Sequence, residues 1–443
     1  MKLELERSAF LKAWQVAEKY AASKTTLDAL NGIRITADNG TVTLEATDLK
    51  SSVKCRAKGA VIIEPGVAVL NASIVGNMIR KCTAKTIVID VPSERGSLTS
   101  DGSKYRFTVI PADTFPNIPA SSGAEGICSI MAADLGKLLN EGSCAASAPS
   151  DFPKYMGTCL LRTQEGSIYA VSTDGKRLAR SKMLCNNIYR EDDLLLPAAA
   201  LRELAKVFTG QENVKVLADG STVWFALEGA ADYSEDGGTD AEAKPSAVLD
   251  GAEFSVRRVE ASFPKYERIL SKDYKTKMRI SKTALLSALD RIAIIAKNSP
   301  AQIMAMNIAP QEEGNPEGNI WPKGKLRITA RAIELGTASD ILEAEIQGDG
   351  MQIGFNVSFF QDGLKAVGSD DVIIEFSGEE EQTRFFRDEG DDFLYMLMPI
   401  RLTPQDIVSD DDNADDFTPP ARDELPADDG EAFAGGEGQD APF

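Results

Sequence analysis

Lysine and arginine are the side chains of this sequence whose spacing most readily does chemistry. Lys12, Lys19, Arg80, Lys81, Lys137, Arg202, Lys206, Lys282, Arg291 and Lys297 all fall in stretches of helical periodicity. Cations set along helices can hold a phosphate backbone by sequence-independent, salt-sensitive contact. Catalytic constellations do not emerge. The chain of 443 residues contains no histidine, which removes Ser-His-Asp and Cys-His nucleophiles and most catalytic zinc sites. Cys55, Cys82, Cys128, Cys144, Cys159 and Cys185 include no C-x-x-C pair, so reduced core thiols are expected rather than a metal site or disulfide framework. Gly348, Gly350 and Gly354 fit neither G-x-x-x-x-G-K-[ST] nor G-x-G-x-x-G, and Asp410-Asp411-Asp412 lacks the spacing of an EF-hand. The expectation is a protein without catalysis, metal or cofactor.

A net charge of −20 opposes contact with phosphate until it is divided along the chain. Residues 403–443 hold thirteen Asp/Glu against Arg422 alone, which leaves −12 there and −8 for residues 1–402. Six helical segments, 6–21, 72–82, 132–142, 197–208, 281–297 and 358–367, hold twelve Lys/Arg and seven Asp/Glu, so they are net positive within an acidic body.

The elements that must position these cations repeat three times. Each copy opens with an amphipathic pattern: Phe10, Trp14, Ala17 and Ala21; Leu135, Leu138, Leu139 and Gly142; Leu285, Leu289, Ile292 and Ala296. Alternating stretches at 32–46, 157–172 and 303–330 then predict strand pairs, with Ala46, Ser172 and Ala330 equivalent. A strand leading into a second helix follows, with Asn71 and Asn356 suited to cap it and Pro197 to begin it. Further strands close each copy at 86–110, 214–259 and 372–398. Gly/Asp/Glu-rich residues near 229–250 and the stretch 310–322 read as inserted surface loops.

The expected fold is α+β, with three like domains at 1–125, 126–262 and 263–402 and a disordered acidic tail at 403–443. Such modules joined head to tail can pair edge strands, and a rotation that closes gives a ring with helices on one wall. The N-terminus lacks the apolar core of a signal peptide and no apolar run approaches a membrane span, so a cytoplasmic location with no membrane partner is expected.

Several segments in this order resemble the bacterial β sliding clamp, the processivity subunit of the replicative DNA polymerase. They are Met1-Lys2-Leu3-Glu4-Leu5-Glu6-Arg7, Ala46-Thr47-Asp48-Leu49, Thr173-Asp174-Gly175-Lys176-Arg177-Leu178-Ala179, Phe263-Pro264-Lys265-Tyr266-Glu267-Arg268-Ile269, Ile353-Gly354-Phe355-Asn356-Val357-Ser358 and Leu397-Met398-Pro399-Ile400-Arg401-Leu402. The resemblance covers 1–402 and implies a head-to-tail homodimer around duplex DNA with helices lining the hole. It also implies a cleft between the second and third domains for short linear peptides of polymerases, the clamp loader and repair proteins. Matched by motif, the cleft would comprise Met156, Thr173, Gly175, Lys176, Arg177, Leu178, Pro264, Arg268, Ile269, Asn356, Phe359, Leu397, Met398, Pro399, Ile400 and Arg401, with Arg and Asn fixing the peptide backbone. Lys24 and Tyr155 match positions linked to DNA contact, and Tyr105 and Phe107 would meet Ile294 and Ile295 at the subunit boundary.

Lys176, Met156 and Phe359 depart from the residues common in the family, which implies an altered peptide preference; Ser73, Ala198 and Ala199 stand where many clamps are basic. The ending Gln439-Asp440-Ala441-Pro442-Phe443 faintly resembles a clamp-binding peptide. Two alternative readings remain: a phage or plasmid accessory clamp, and an acidic protein-interaction scaffold that never loads on DNA.

Overall fold

The computed structural model describes residues 1–22, 25–148, 151–185, 187–210, 212–227, 250–269, 273–310, 321–387 and 392–408. The two inserted stretches and the tail therefore lie almost wholly outside the described residues, as does Lys24. Helices α1 (Arg7–Glu18), α2 (Ala72–Lys81), α3 (Ala132–Gly142), α4 (Ala198–Ala205), α5 (Lys282–Ala296) and α6 (Val357–Ala366) correspond to the six helical segments, with only α6 starting one residue early. Their starts have local causes. Asn71 Oδ1 accepts from Ile74 N and Asn356 Oδ1 from Phe359 N, each at 2.9 Å, satisfying donors that a helix end leaves free. Pro197 stands immediately before α4.

Three modules share one order of strand, helix, three-stranded meander, strand, helix, three-stranded meander, with one further short strand after the first meander in modules one and two, Ala60–Glu64 and Asn187–Ile188. The opening strands Lys2–Glu6, Glu125–Met131 and Thr276–Ser281 pair antiparallel with Thr86–Asp90, Asn213–Ala218 and Asp371–Phe376. The strand before each second helix returns to the first strand of its own meander in one register, with Asn71 opposite Gly32, Pro197 opposite Thr158 and Asn356 opposite Ile303. After each final strand the chain makes one more matching bond: Ile110 N to Val69 O, Val259 N to Leu195 O, and Ile400 N to Gly354 O, at 2.8–2.9 Å. Ala46, Ser172 and Ala330 sit in the second strand of their meanders, opposite Val53, Ala179 and Ala338.

The helices of a module pack as a pair against its sheets. Trp14, fully buried on α1, donates its indole N–H to Ala72 O at 3.0 Å across to α2. In module two α3 approaches the end of α4 so closely that a Cβ at Gly136 would run into the Phe208 carbonyl. Between α5 and α6, Gln361 Nε2 donates to Asp290 Oδ1 at 2.8 Å.

Sheets cross the module boundaries. Ser51–Arg56 of module one pairs with Asp250–Arg257, the last strand of module two, giving a nine-stranded sheet. Arg177–Leu184 of module two pairs with Phe393–Leu397, the last strand of module three, within a twelve-stranded sheet. Both junctions use the third strand of the first meander and the last strand of the next module, with Val53 opposite Phe254 and Ala179 opposite Tyr395. The two strands left over are complementary. Ser103–Thr108, last in module one, ends the five-stranded sheet, and Gly336–Gly348 of module three is paired on its outer edge only over Glu345–Gly348.

The cysteines are free, and burial pushes the Cys55 and Cys159 thiols up to about 12, which keeps them inert. None of the described helices is long and apolar enough to cross a membrane. Gly136→Val is expected to cost about 1–3 kcal/mol through overpacking of α3 on α4, read as a lower midpoint in denaturant unfolding.

Candidate peptide cleft and cationic helices

The Thr173–Arg177 turn organises the boundary between modules two and three. Gly175 takes φ +83, a left-handed conformation that glycine adopts without penalty. Thr173 Oγ1 accepts from Gly175 N at 3.1 Å and donates to Arg177 O at 2.7 Å. Asp174 Oδ1 accepts from Lys176 N and Arg177 N at 2.9 and 3.0 Å. Across the junction Met398 N donates to Lys176 O at 2.9 Å, tying the end of module three to this turn.

Arg177 fills the seam. Its Nε donates to Asp174 Oδ2 at 2.9 Å and its Nη1 to Asp362 Oδ2 at 2.7 Å, while the guanidinium lies 4.1 Å from the centre of the Phe359 ring. Phe359 is held in the first turn of α6 by the Asn356 cap, and its carbonyl accepts from the Tyr395 hydroxyl at 2.7 Å. Burial raises the Tyr395 phenol, more than the neighbouring Arg177 lowers it, so the hydroxyl remains a donor. Around these groups lies a cleft of about 440 Å³ lined by Ala146, Ser147, Ala148, Asp151, Met156, Asp174, Lys176, Arg177, Arg202 and Phe359.

Of the sequence-derived cleft set, Met156, Lys176, Arg177 and Phe359 line this space, and Gly175 adjoins Met156. Met398 is 41% exposed, Pro399 and Ile400 are half-buried, and Pro264, Arg268, Ile269 and Arg401 are exposed. Three members are corrected. Leu178 and Leu397 are fully buried on opposite faces of the paired strands, each in a hydrophobic core, and Thr173 is spent inside the turn, so these support the cleft without lining it. Asn356 and Arg177, expected to fix a peptide backbone, already have partners within the chain: Asn356 caps α6 and donates from Nδ2 to Ala301 O at 2.7 Å, and Arg177 serves two carboxylates. Asp151, Asp362 and the Ala146–Ala148 stretch were missed; only Asp174, inside the quoted turn motif, carried a sequence signal.

The cationic set divides as clearly. Lys12, Lys19, Lys81, Lys137 and Lys297 are exposed, with no ion pair among the described residues. The arginines are engaged. Arg80 meets Glu18 with both terminal nitrogens at 2.7 and 3.0 Å, and Arg291 Nε donates to Asp340 at 2.7 Å. Arg202 donates to Ser143 O at 2.8 Å and lines the cleft, so its assignment to a DNA-facing wall is corrected. Lys206 pairs with Glu203 at 2.6 Å, Lys282 donates to Val367 O at 2.9 Å, and Tyr155 stacks edge-on against Phe263 at 6.1 Å. At the expected subunit boundary Ile294 is exposed, Ile295 and Tyr105 are half-buried, and Phe107 is buried against Gly96.

Comparison with known proteins gives these features a context. Residues 1–119 match the N-terminal domain of the DNA polymerase III beta subunit and residues 319–401 its C-terminal domain. The beta sliding clamp of Pseudomonas putida is 26% identical over 406 residues, spanning 91% of this chain and all of the relative. At both ends, and over 91% of its length, the chain is similar to the DNA polymerase III beta subunits, the sliding clamps. The beta sliding clamp of Staphylococcus aureus strain Mu50 is 22% identical over 412 residues, covering 90% of this chain and 99% of the relative. Among solved structures, the sliding clamp of Bacillus subtilis superposes with TM-score 0.75 at 20% identity, and that of Pseudomonas aeruginosa bound to griselimycin with 0.74 at 23%, each covering 91% of this chain and 100% of theirs. The shared fold of the sliding clamps is thus the threefold α+β repeat described above.

Removing the side chain that closes the seam tests the ion cluster. Arg177→Ala is expected to lower stability by about 3 kcal/mol, because Asp174 loses its partner inside the junction. A loss under one third of that in urea unfolding would contradict it.

Proposed function

We propose that this chain is a sliding clamp: two copies close head to tail around duplex DNA and hold the replicative polymerase and other proteins there, without catalysis. The observation that carries the reading is the pair of leftover edges. Each internal junction joins the third strand of one module's first meander to the last strand of the next module. The same two kinds of edge remain at Gly336–Gly348 and Ser103–Thr108, and within one chain they do not pair with each other. A heterologous contact that closes satisfies both.

The internal registers extend to that boundary. Ile110, Val259 and Ile400 are equivalent, so Tyr105 stands where Phe254 and Tyr395 stand, and Ala338 where Val53 and Ala179 stand. Ala338 therefore lies opposite the partner's Tyr105. Counted from the helix starts, Tyr20, Ala145 and Ile295 also correspond; Tyr20 packs on Phe254 at 5.6 Å, and Ile295 would cover the partner's Tyr105 in the same manner.

Lys12, Lys19, Lys81, Lys137 and Lys297 supply sequence-independent phosphate contact on the helices, as sliding requires. The cleft beside Arg177 takes short peptides of polymerase, clamp loader and repair proteins, anchored on Met156, Phe359, Met398 and Ile400, in a cytoplasmic replication complex. The full −20 charge favours the scaffold alternative only if the helices are ignored, since positive charge gathers there.

Four measurements test this. The chain should have the mass of a dimer, A338C and Y105C together should cross-link chains into that dimer, and rings loaded by a clamp loader should stay on nicked circular DNA and leave on linearisation. A monomer, or equal retention on both DNA forms, would sink the ring. Replacing Lys12, Lys81, Lys137 and Lys297 with Glu should leave the mass unchanged while the slope of log affinity against log salt becomes shallower by about 1 for each phosphate left without its lysine.

A further inference from the structure

We propose that the subunit boundary carries a second peptide groove, the counterpart of the cleft beside Arg177, that takes an extended peptide with apolar anchors. This rests on the ring and cleft reading above. It arises from three exposed side chains which that reading leaves unused: Ile74, Ile333 and Leu335, at 53%, 65% and 59% exposure.

Their places follow from the repeat. Asn71 and Asn356 pair with Gly32 and Ile303 and cap the helices that follow, so Ile74 in module one holds the place of Phe359 in module three. Residues Ile333 to Leu335 form the tip between the second and third strands of the meander, as Asp174 to Lys176 do in module two. That module-two tip and Phe359 line one cleft across a closed junction. The equivalent junction between subunits sets Ile333 and Leu335 beside the partner's Ile74.

Closing a junction does not bury its tip. Arg257 N donates to Lys50 O at 2.8 Å across the junction of modules one and two, yet Leu49 at that tip stays 48% exposed. Gly175 and Lys176 are likewise exposed although Met398 is bonded to Lys176 O. Dimerisation therefore leaves Ile333 and Leu335 open to a ligand.

The chemistry of the groove differs from that of the cleft. Two residues before Ala179 stands Arg177, which covers Phe359; two residues before its equivalent, Ala338, stands Gly336, which covers nothing. At the first junction the corresponding helix residue is Ala200, whose single methyl offers little apolar surface. The subunit boundary joins the larger aliphatic side chains of Ile74, Ile333 and Leu335 from both sides, which suits branched aliphatic or aromatic anchors on an extended chain.

The full-length protein is titrated with a fluorescein-labelled pentapeptide bearing Leu at its second position and Phe at its last, with the mass of each variant measured alongside. Two equivalents per chain are expected for the unaltered dimer, and one for Met398→Asp, which removes the cleft. One is also expected for Ile74→Asp and, independently, for Ile333→Asp, which alter the groove from opposite subunits; Met398→Asp combined with either leaves none. A dimer that binds one equivalent, all of it lost with Met398→Asp, would overturn the groove and leave the cleft standing. A dimer that binds none, or a chain that stays monomeric, would overturn the underlying reading and the groove with it. Assemblies larger than a dimer that Ile333→Asp abolishes would assign these side chains to ring–ring contact and likewise overturn the groove.

Discussion

Edge-to-edge pairing of strands between modules is the constraint on which the rest of the molecule depends. An exposed strand edge presents a row of unsatisfied backbone donors and acceptors, and this chain answers them by repetition. The third strand of one module's first meander accepts the last strand of the next, twice, in corresponding register. That register decides which side chains meet across each seam. It brings Ser52 and Ser255 into a buried hydrogen bond at 2.6 Å, and it lays the end of module three over the turn at Lys176. A shift of one residue would turn every side chain on these strands to the opposite face.

The two internal seams share a backbone plan and differ in what fills them. At the first, the Tyr20 ring packs on Phe254 in an apolar setting. At the second, the small Ala145 takes the place of Tyr20, and a network runs from Ser181 Oγ to Glu141 at 2.7 Å and from Glu141 through Arg387, which donates to both carboxylates, to Asp392. Buried charges are costly unless every partner is present, so such a network contributes more to a unique alignment of modules than to net stability. Arg177, with Asp174 and Asp362, forms a second charged cluster in the same seam, where the cleft opens. The cleft is thus a by-product of how modules two and three are fastened together, and its shape is as rigid as that fastening.

The repeat, the six helices and the Asn71 and Asn356 caps were legible in the sequence because each has a local cause: periodicity of apolar residues, or one side chain that satisfies a helix end. The pairing of modules was not, because no local pattern says which distant strand Ser51–Arg56 or Arg177–Leu184 will join. Within the site the same division holds. The turn at Asp174 and Gly175 could be read from residue types, whereas Leu178 and Leu397 carry nothing in their own type that tells an inward face from a cleft wall. Glu18 and Arg80 lie far apart in sequence and meet only because α1 and α2 pack as a pair, so composition overstated the cations available on the helices.

That overstatement sorts the cations by kind. Arg80, Arg177, Arg202, Arg291 and Arg387 are engaged in fixing helices, turns or seams, each through directed hydrogen bonds. The cations on the helices left exposed and without ion pairs among the described residues are lysines: Lys12, Lys19, Lys81, Lys137, Lys297 and Lys365. A planar guanidinium fork holds a fixed geometry well, while an ammonium on a flexible stem keeps its water and makes interchangeable contacts. Retention by encirclement needs contacts of the second kind, since a ring that cannot fall off gains nothing from gripping phosphate tightly and loses mobility by doing so. An acidic body with a few hydrated lysines on its helices is therefore what the proposed ring requires: closure would supply the tether, and weak charge attraction would keep the duplex centred without arresting it.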